Sequence, residues 1–188
     1  LKKIFNGRFS TSESTRANYA RGEDTFDPVL SKAVVFPETN EEVSQILKIC
    51  NQNKVPVVPF GTGTSLEGNV VGNDNGITIS LEKMNKILNV NTEDFDCRVQ
   101  ACVTREQLND YLREDGIFFP IDPGANAAIG GMASTSASGT MAVKYGTMKS
   151  VITGLTVVLP NGDIINTGSK TKKTSAGYNL TNLFIGSE

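Results

Sequence analysis

There is no histidine among the 188 residues of this chain. That absence rules out a Ser-His-Asp or Cys-His nucleophile and any zinc site built on imidazole. Net positive charge is missing too: 18 Lys and Arg stand against 20 Asp and Glu, for a formal charge of −2. Such a balance argues against nucleic acid as a partner, because nucleic-acid binders rely on a broad basic field. No apolar run approaches the ~20 residues that span a bilayer, so no membrane span is expected. The opening LKKIFNGRFSTSEST is polar after a short basic start and does not read as a signal peptide. Residue 1 is Leu rather than Met, so the chain is expected to begin inside a longer product, from which a targeting segment could have been removed. Cysteine is limited to Cys50, Cys97 and Cys102, with no C-x-x-C pair and at least one thiol without a mate. A reduced, cytoplasmic setting follows, with peripheral membrane association compatible with it.

What is present describes a globular chain, with 38% hydrophobic and 20% charged residues. Residues 1–30 show little periodicity and read as an extended arm or an ordered tail. Ala33–Pro37 is a short strand. Thr39-Asn40-Glu41-Glu42 is a capping box, in which side chains satisfy the first orphan amides of a helix. Val43, Ile46, Leu47 and Cys50 then recur at helical spacing, predicting a helix over 40–52 with Cys50 in the core. VPVVPF (Val55–Phe60) is a second strand, so strand, helix and strand make a βαβ unit with parallel pairing. ITISLEKM (Ile77–Met84) adds another strand. Residues 87–103 form a hairpin around TEDF, and Cys97 and Cys102, five apart on one strand, face opposite ways and cannot bridge. Thr104-Arg105-Glu106-Gln107 opens a further helix, carrying Leu108, Tyr111 and Leu112 and ending at Gly116. GLTVVLPNGDIINTG is a hairpin turning at Pro160-Asn161-Gly162. Leu180, Leu183 and Phe184 read as core, and the chain is expected to be truncated at both ends.

Two small-residue regions carry the functional signal. After VPVVPF the sequence runs GTGTSLEGN, with Gly61, Gly63 and Gly68. The spacing Gly63 to Gly68 suits a P-loop, but the next residue is Asn69 rather than lysine, so nothing meets a terminal phosphate. A Rossmann fingerprint fails as well: Leu66 stands at the third glycine and strand residues follow rather than a helix. What remains is a plain mobile loop or a nest of backbone N–H groups around an anion, with Thr62, Thr64 and Ser65 adding hydroxyl donors. The second region, GGMASTSASG, suits either a strand or a short helix. Its lack of side-chain volume means close helix–sheet packing or a flat ligand. Two such regions about sixty residues apart suggest one elongated ligand between two lobes.

Taken in order, VVFPETNEEV, VPVVPFGTGTSLEGN, FFPIDPGANAAIGGMASTSASGT, VKYGTMKSVITGLTVVLPNGDII and AGYNLTNLFIGSE resemble the FAD-binding domain of the vanillyl-alcohol oxidase and p-cresol methylhydroxylase superfamily. They are most similar to its FAD-linked D-lactate dehydrogenases and the large glycolate oxidase subunit. The resemblance covers roughly residues 33–188. It implies an α+β fold of the FAD-binding PCMH type. An arm (1–30) precedes a βαβ-containing first lobe (31–84) and a mixed-sheet second lobe (85–188), with FAD between the lobes and a C-terminal cap domain absent. On this resemblance Pro59, Gly61, Thr62, Gly63, Thr64, Ser65 and Leu66 hold or shape the pyrophosphate site. Pro123 and Gly124 lie near the flavin. Gly130, Gly131, Ser134, Thr135 and Ser138 line the phosphate and ribitol region, Tyr145 and Gly146 complete the wall, and Val151 and Ile152 reach the adenine. Some members attach flavin through histidine, which this chain lacks, so FAD is expected to be noncovalent. Separately, Asn69 stands where some relatives carry a histidine, which would bear on flavin reactivity. No catalytic or metal residue is assigned. The implied full-length protein oxidises a D-2-hydroxy acid, of the D-lactate or glycolate type, and passes electrons to a quinone, a cytochrome or another flavoprotein. The alternatives are another FAD-dependent member, such as an alkyl-glycerone-phosphate synthase or a sugar oxidase, or a non-catalytic nucleotide-binding module.

Overall fold

The computed structural model describes residues 1–188. It separates into two compact units: residues 1–84 with the hairpin tip 158–165, and residues 85–157 with 166–188.

In the first unit, strand β1 (Phe9–Ser10) and helix α1 (Glu13–Asn18) lead to strand β2 (Ala33–Val35), helix α2 (Asn40–Gln52), strand β3 (Val57–Phe60) and strand β4 (Ile77–Ser80). The sheet order is β1-β2-β4-β3. β2 and β3 both pair parallel with β4, so β4 sits between the two strands of the expected βαβ unit. Helix α2 starts where the capping box places it, with Thr39 Oγ1 accepting from the Glu42 amide. Its stripe Ile46 and Cys50 packs with Phe5, Ala33, Val35, Ile77 and Ile79 to form the core. Full burial of each isoleucine contributes roughly 1.5–3 kcal/mol. Of the two readings of residues 1–30, the structure shows the ordered, packed segment and not the extended arm. Phe5 is 1% exposed, β1 pairs antiparallel with β2, and Arg8 makes a two-pronged ion pair to Glu42 of α2, with one bond of 2.6 Å. The short pairing segment Phe9–Ser10 has too few residues to show a period, which is why its sequence reads as a tail.

The second unit holds a bulged hairpin of strands β5 (Ile87–Asn91) and β6 (Asp96–Val99), then helix α3 (Arg105–Leu112) with a one-turn 3-10 extension to Asp115 and a left-handed Gly116 at its end. Cys102 lies beyond β6, buried in the turn before α3, so it does not share a strand with Cys97 as the spacing suggested. Three short helices follow: α4 (Ile129–Ser134), α5 (Ala142–Tyr145) and α6 (Met148–Val151). Strands β7 (Gly154–Val158) and β8 (Ile164–Gly168) form the expected hairpin, and helix α7 (Leu180–Phe184) comes last. Leu108 and Leu112 pack with Val103, while Ile121, Ala127, Met132, Ala133, Met148 and Ile185 form a second cluster. In α7 the expected core residues Leu180 and Leu183 are 51% and 66% exposed. Thr181 and the following Ile185 are buried instead, because the helix turns that side inward: Thr181 donates to Thr167 of β8. No helix is long and apolar enough to cross a membrane.

Candidate cofactor site

The glycine-rich loop leaves β3 at Phe60, whose carbonyl accepts from Leu81 and whose ring is buried edge-on against Tyr19 at 5.1 Å. Gly63 is left-handed (φ +74°), and a Cβ there would stand 2.7 Å from the Phe60 ring, so the loop bends back over its own strand. Gly68 repeats the arrangement against Phe26. The other side of the loop is tied to the segment after α1. Glu23 donates its amide to the Ser65 carbonyl at 3.1 Å, and Gly22 lies where a Cβ would meet that same oxygen at 2.6 Å. This fixes the peptide planes around Ser65 while Thr62 and Leu66 stay exposed and Gly61, Thr64 and Ser65 half-buried. Ser65 donates its hydroxyl to the Asn69 side-chain oxygen. Pro59 is exposed on β3, in register with Ile79.

In the second unit, α4 carries GGMAS, so the helical alternative is the one adopted. Met132 and Ala133 face the core; Gly131, Ser134 and Thr135 are exposed. The two hydroxyls donate back to the helix, Ser134 to the Gly130 carbonyl and Thr135 to the Gly131 carbonyl. Left-handed Ser136 (φ 50°) ends the helix and turns the chain toward exposed Ser138. The amides of Gly186 and Glu188 bond the carbonyls of Ala133 and Ser134, so the chain end caps α4, a contact no local pattern announces.

The glycines of this unit divide sharply. Gly130 packs against Ala101, with a Cβ 2.8 Å from that methyl, and Gly139 packs against Asp122, so the fold itself requires both. Gly146 is left-handed and would meet Ser150. Gly124 and Gly131 have neither reason: a Cβ on either meets open space, and neither has a positive φ. A glycine inside a helix costs up to about 1 kcal/mol relative to alanine. Neither crowding nor backbone conformation in the fold requires glycine at 131.

Pro123 and Gly124 follow Asp122, a residue the motif reading passed over. Its carboxylate accepts from the Thr140 hydroxyl at 2.6 Å and from the Met141 amide at 3.1 Å. Those bonds, the Thr140 hydroxyl first and the Arg105 charge last, hold its carboxyl below the ordinary range. Tyr145 meets Phe118 edge-on at 5.7 Å, with the Lys144 ammonium 5.0 Å from the tyrosine ring centre. Val151 and Ile152 are half-buried and pack against the Met148 cluster. Within the first unit the structure brings 61–66 into one loop, with Pro59 on the strand that precedes it. In the second, Gly131, Ser134, Thr135 and Ser138 cluster along and just beyond α4, and Asp122 joins the Pro123-Gly124 loop to the segment that enters α5. Cys50, its thiol pushed up by burial, and Cys97, exposed on β6, belong to neither group.

In the first unit the bend of left-handed Gly63 and Gly68 carries hydroxyl residues that suit an anion. In the second unit α4 carries a glycine that the fold does not need. Residues 31–168 match the family model described as FAD binding domain. A probable mitochondrial D-lactate dehydrogenase of Danio rerio is 49% identical over 182 residues, covering 95% of this chain and 37% of that protein. The mitochondrial D-lactate dehydrogenase [cytochrome] 1 of Saccharomyces cerevisiae is 51% identical over 160 residues, covering 84% of this chain and 27% of that one. Among solved structures, p-cresol methylhydroxylase with substrate bound superposes with a TM-score of 0.81 at 25% identity, covering 98% of this chain and 39% of that chain. The chain belongs to the FAD binding domain family. Its cofactor is FAD and its fold is the mixed α+β architecture of the p-cresol methylhydroxylase type. The chain spans only 37% and 27% of the length of the two dehydrogenases it matches.

Proposed function

We propose that this chain is the cofactor cradle of a flavin-dependent dehydrogenase that oxidises a D-2-hydroxy acid, of the D-lactate or glycolate class, to the 2-keto acid. The observation that carries the reading is Gly131, a helix glycine with neither crowding nor unusual φ to explain it, set in a chain half identical to D-lactate dehydrogenases. In this reading residues 31–84 are one lobe of the cradle and 85–188 the other. Gly61, Thr62, Gly63, Thr64 and Ser65 hold the pyrophosphate through main-chain amides and hydroxyls, with Pro59 and Leu66 shaping the bend. Gly130, Gly131, Ser134, Thr135 and Ser138 line the phosphate and ribitol, and Pro123 and Gly124 lie at the flavin side. Tyr145 and Gly146 form the adjoining wall, with Val151 and Ile152 at the adenine. Bound FAD supplies a two-electron acceptor for the hydride of the substrate α-carbon. The residues of this chain bind and orient; proton removal from the hydroxyl falls to a base elsewhere in the protein. The chain itself offers no imidazole for covalent attachment, and in this reading FAD is held noncovalently. Electrons leave to a quinone, a cytochrome or another flavoprotein, and the protein works in the cytoplasm or at a membrane surface. Anaerobic addition of D-lactate or glycolate to the purified full-length flavoprotein tests this: bleaching of the flavin absorbance is expected. A flavin that no D-2-hydroxy acid bleaches would overturn it.

A further inference from the structure

Asp122 sits where two site-bearing segments meet. Its carboxylate takes the Thr140 hydroxyl on one oxygen (2.6 Å) and the Met141 amide on the other (3.1 Å). Gly139 closes on it so tightly that a Cβ there would lie 2.1 Å from the Asp122 carbonyl oxygen. On one side of this clamp come Pro123 and Gly124. On the other, Met141 opens α5, which ends at Tyr145 and left-handed Gly146. The Met141 carbonyl accepts from the Tyr145 amide at 3.0 Å, so the position of Met141 is passed directly to Tyr145. Nothing else in the two segments offers an acceptor pair of this shape.

We infer that Asp122 is a positioning residue for the cofactor: its carboxylate locks the Pro123-Gly124 loop to the start of α5, so that both present one preorganised surface to FAD. This rests on the reading of the chain as an FAD cradle. The residue itself reaches no cofactor atom in this role; it sets where its neighbours stand, and binding is tighter because the loops are ordered before FAD arrives. Asparagine at 122 keeps the geometry, since its oxygen still accepts from the Met141 amide and its NH2 donates to the Thr140 hydroxyl. Alanine keeps neither bond.

The test is titration of the full-length protein, stripped of flavin, with FAD, followed by flavin fluorescence. Asp122→Ala is expected to weaken FAD binding roughly tenfold, Thr140→Val by a smaller factor of about threefold, and Asp122→Asn to stay within about twofold of the parent. Rescue by asparagine is the reading a general loss of folding would not give, and Thr140→Val keeps the test available should Asp122→Ala fail to fold. Unchanged affinity in Asp122→Ala or in Thr140→Val overturns the inference, as does an Asp122→Asn variant as weak as alanine. A parent protein that binds no FAD overturns the underlying functional reading instead.

Discussion

Replacing Gly131 with alanine should move stability and cofactor affinity in opposite directions. The added methyl meets no atom within 4 Å, and the residue has an ordinary helical backbone, so no strain is introduced. Alanine gains about 0.5–1 kcal/mol there from helix propensity and a less flexible unfolded chain. For a chain of this length that is about +1 to +4 °C in the melting temperature of the flavin-free protein. If the open space beside Gly131 is where FAD's phosphates or ribitol approach, the same methyl occupies it, and affinity should fall about tenfold or more. Gly130→Ala is the control. Its Cβ would lie 2.8 Å from Ala101 Cβ and 2.9 Å from the Ala101 carbonyl, so overpacking of about 1–3 kcal/mol should destabilise the protein with or without flavin. Thermal melts of flavin-free protein and FAD titrations of both variants decide the matter. A Gly131→Ala protein that binds FAD as tightly as its parent refutes the reasoning, because open space would then mean bare surface.

Other consequences follow from the first unit. Gly63→Ala forces a side chain into φ +74° and to 2.7 Å from the Phe60 ring; chemical denaturation should show a loss of about 1–3 kcal/mol, with weakened FAD binding. Ser44 donates its hydroxyl to the Gly162 carbonyl at 2.5 Å in a buried setting, holding the tip of the β7–β8 hairpin. Ser44→Ala leaves that carbonyl unpaired and should cost about 1–3 kcal/mol in the same assay. The Glu42 carboxyl is held below its ordinary range, first by the Arg8 hydrogen bond, with amides of Glu38 and Thr39 assisting. Its folded value is the lower one, so its contribution is present above the ordinary glutamate range and fades as pH falls through the depressed value. The stability of the parent, measured by denaturation, should therefore fall as pH drops below the ordinary glutamate range, and that of Glu42→Gln should fall less over the same range.

Helix α2 and the β7–β8 hairpin were legible because period, capping box and Pro-Asn-Gly turn are local signals, and the structure places them where those signals fall. The glycine-rich bend after Phe60 was legible for the same reason. The insertion of β4 between β2 and β3 was not, since pairing partners are chosen by long-range packing that no window of sequence contains. Asp122 was hidden because it reads as a turn residue in IDPG; its partners lie 18 and 19 positions away. Gly130 and Gly131 look identical in sequence, and only their surroundings separate a glycine the fold needs from one it does not. Leu180 and Leu183 read as core through hydropathy alone, yet the helix buries Thr181 instead.

The most direct measurement is the flavin content of the full-length protein as purified and after titration with FAD. One FAD per chain, released intact by denaturation, is the expected result. A colourless protein that takes up no FAD when titrated would contradict the claim that these glycine-bearing bends form a flavin cradle.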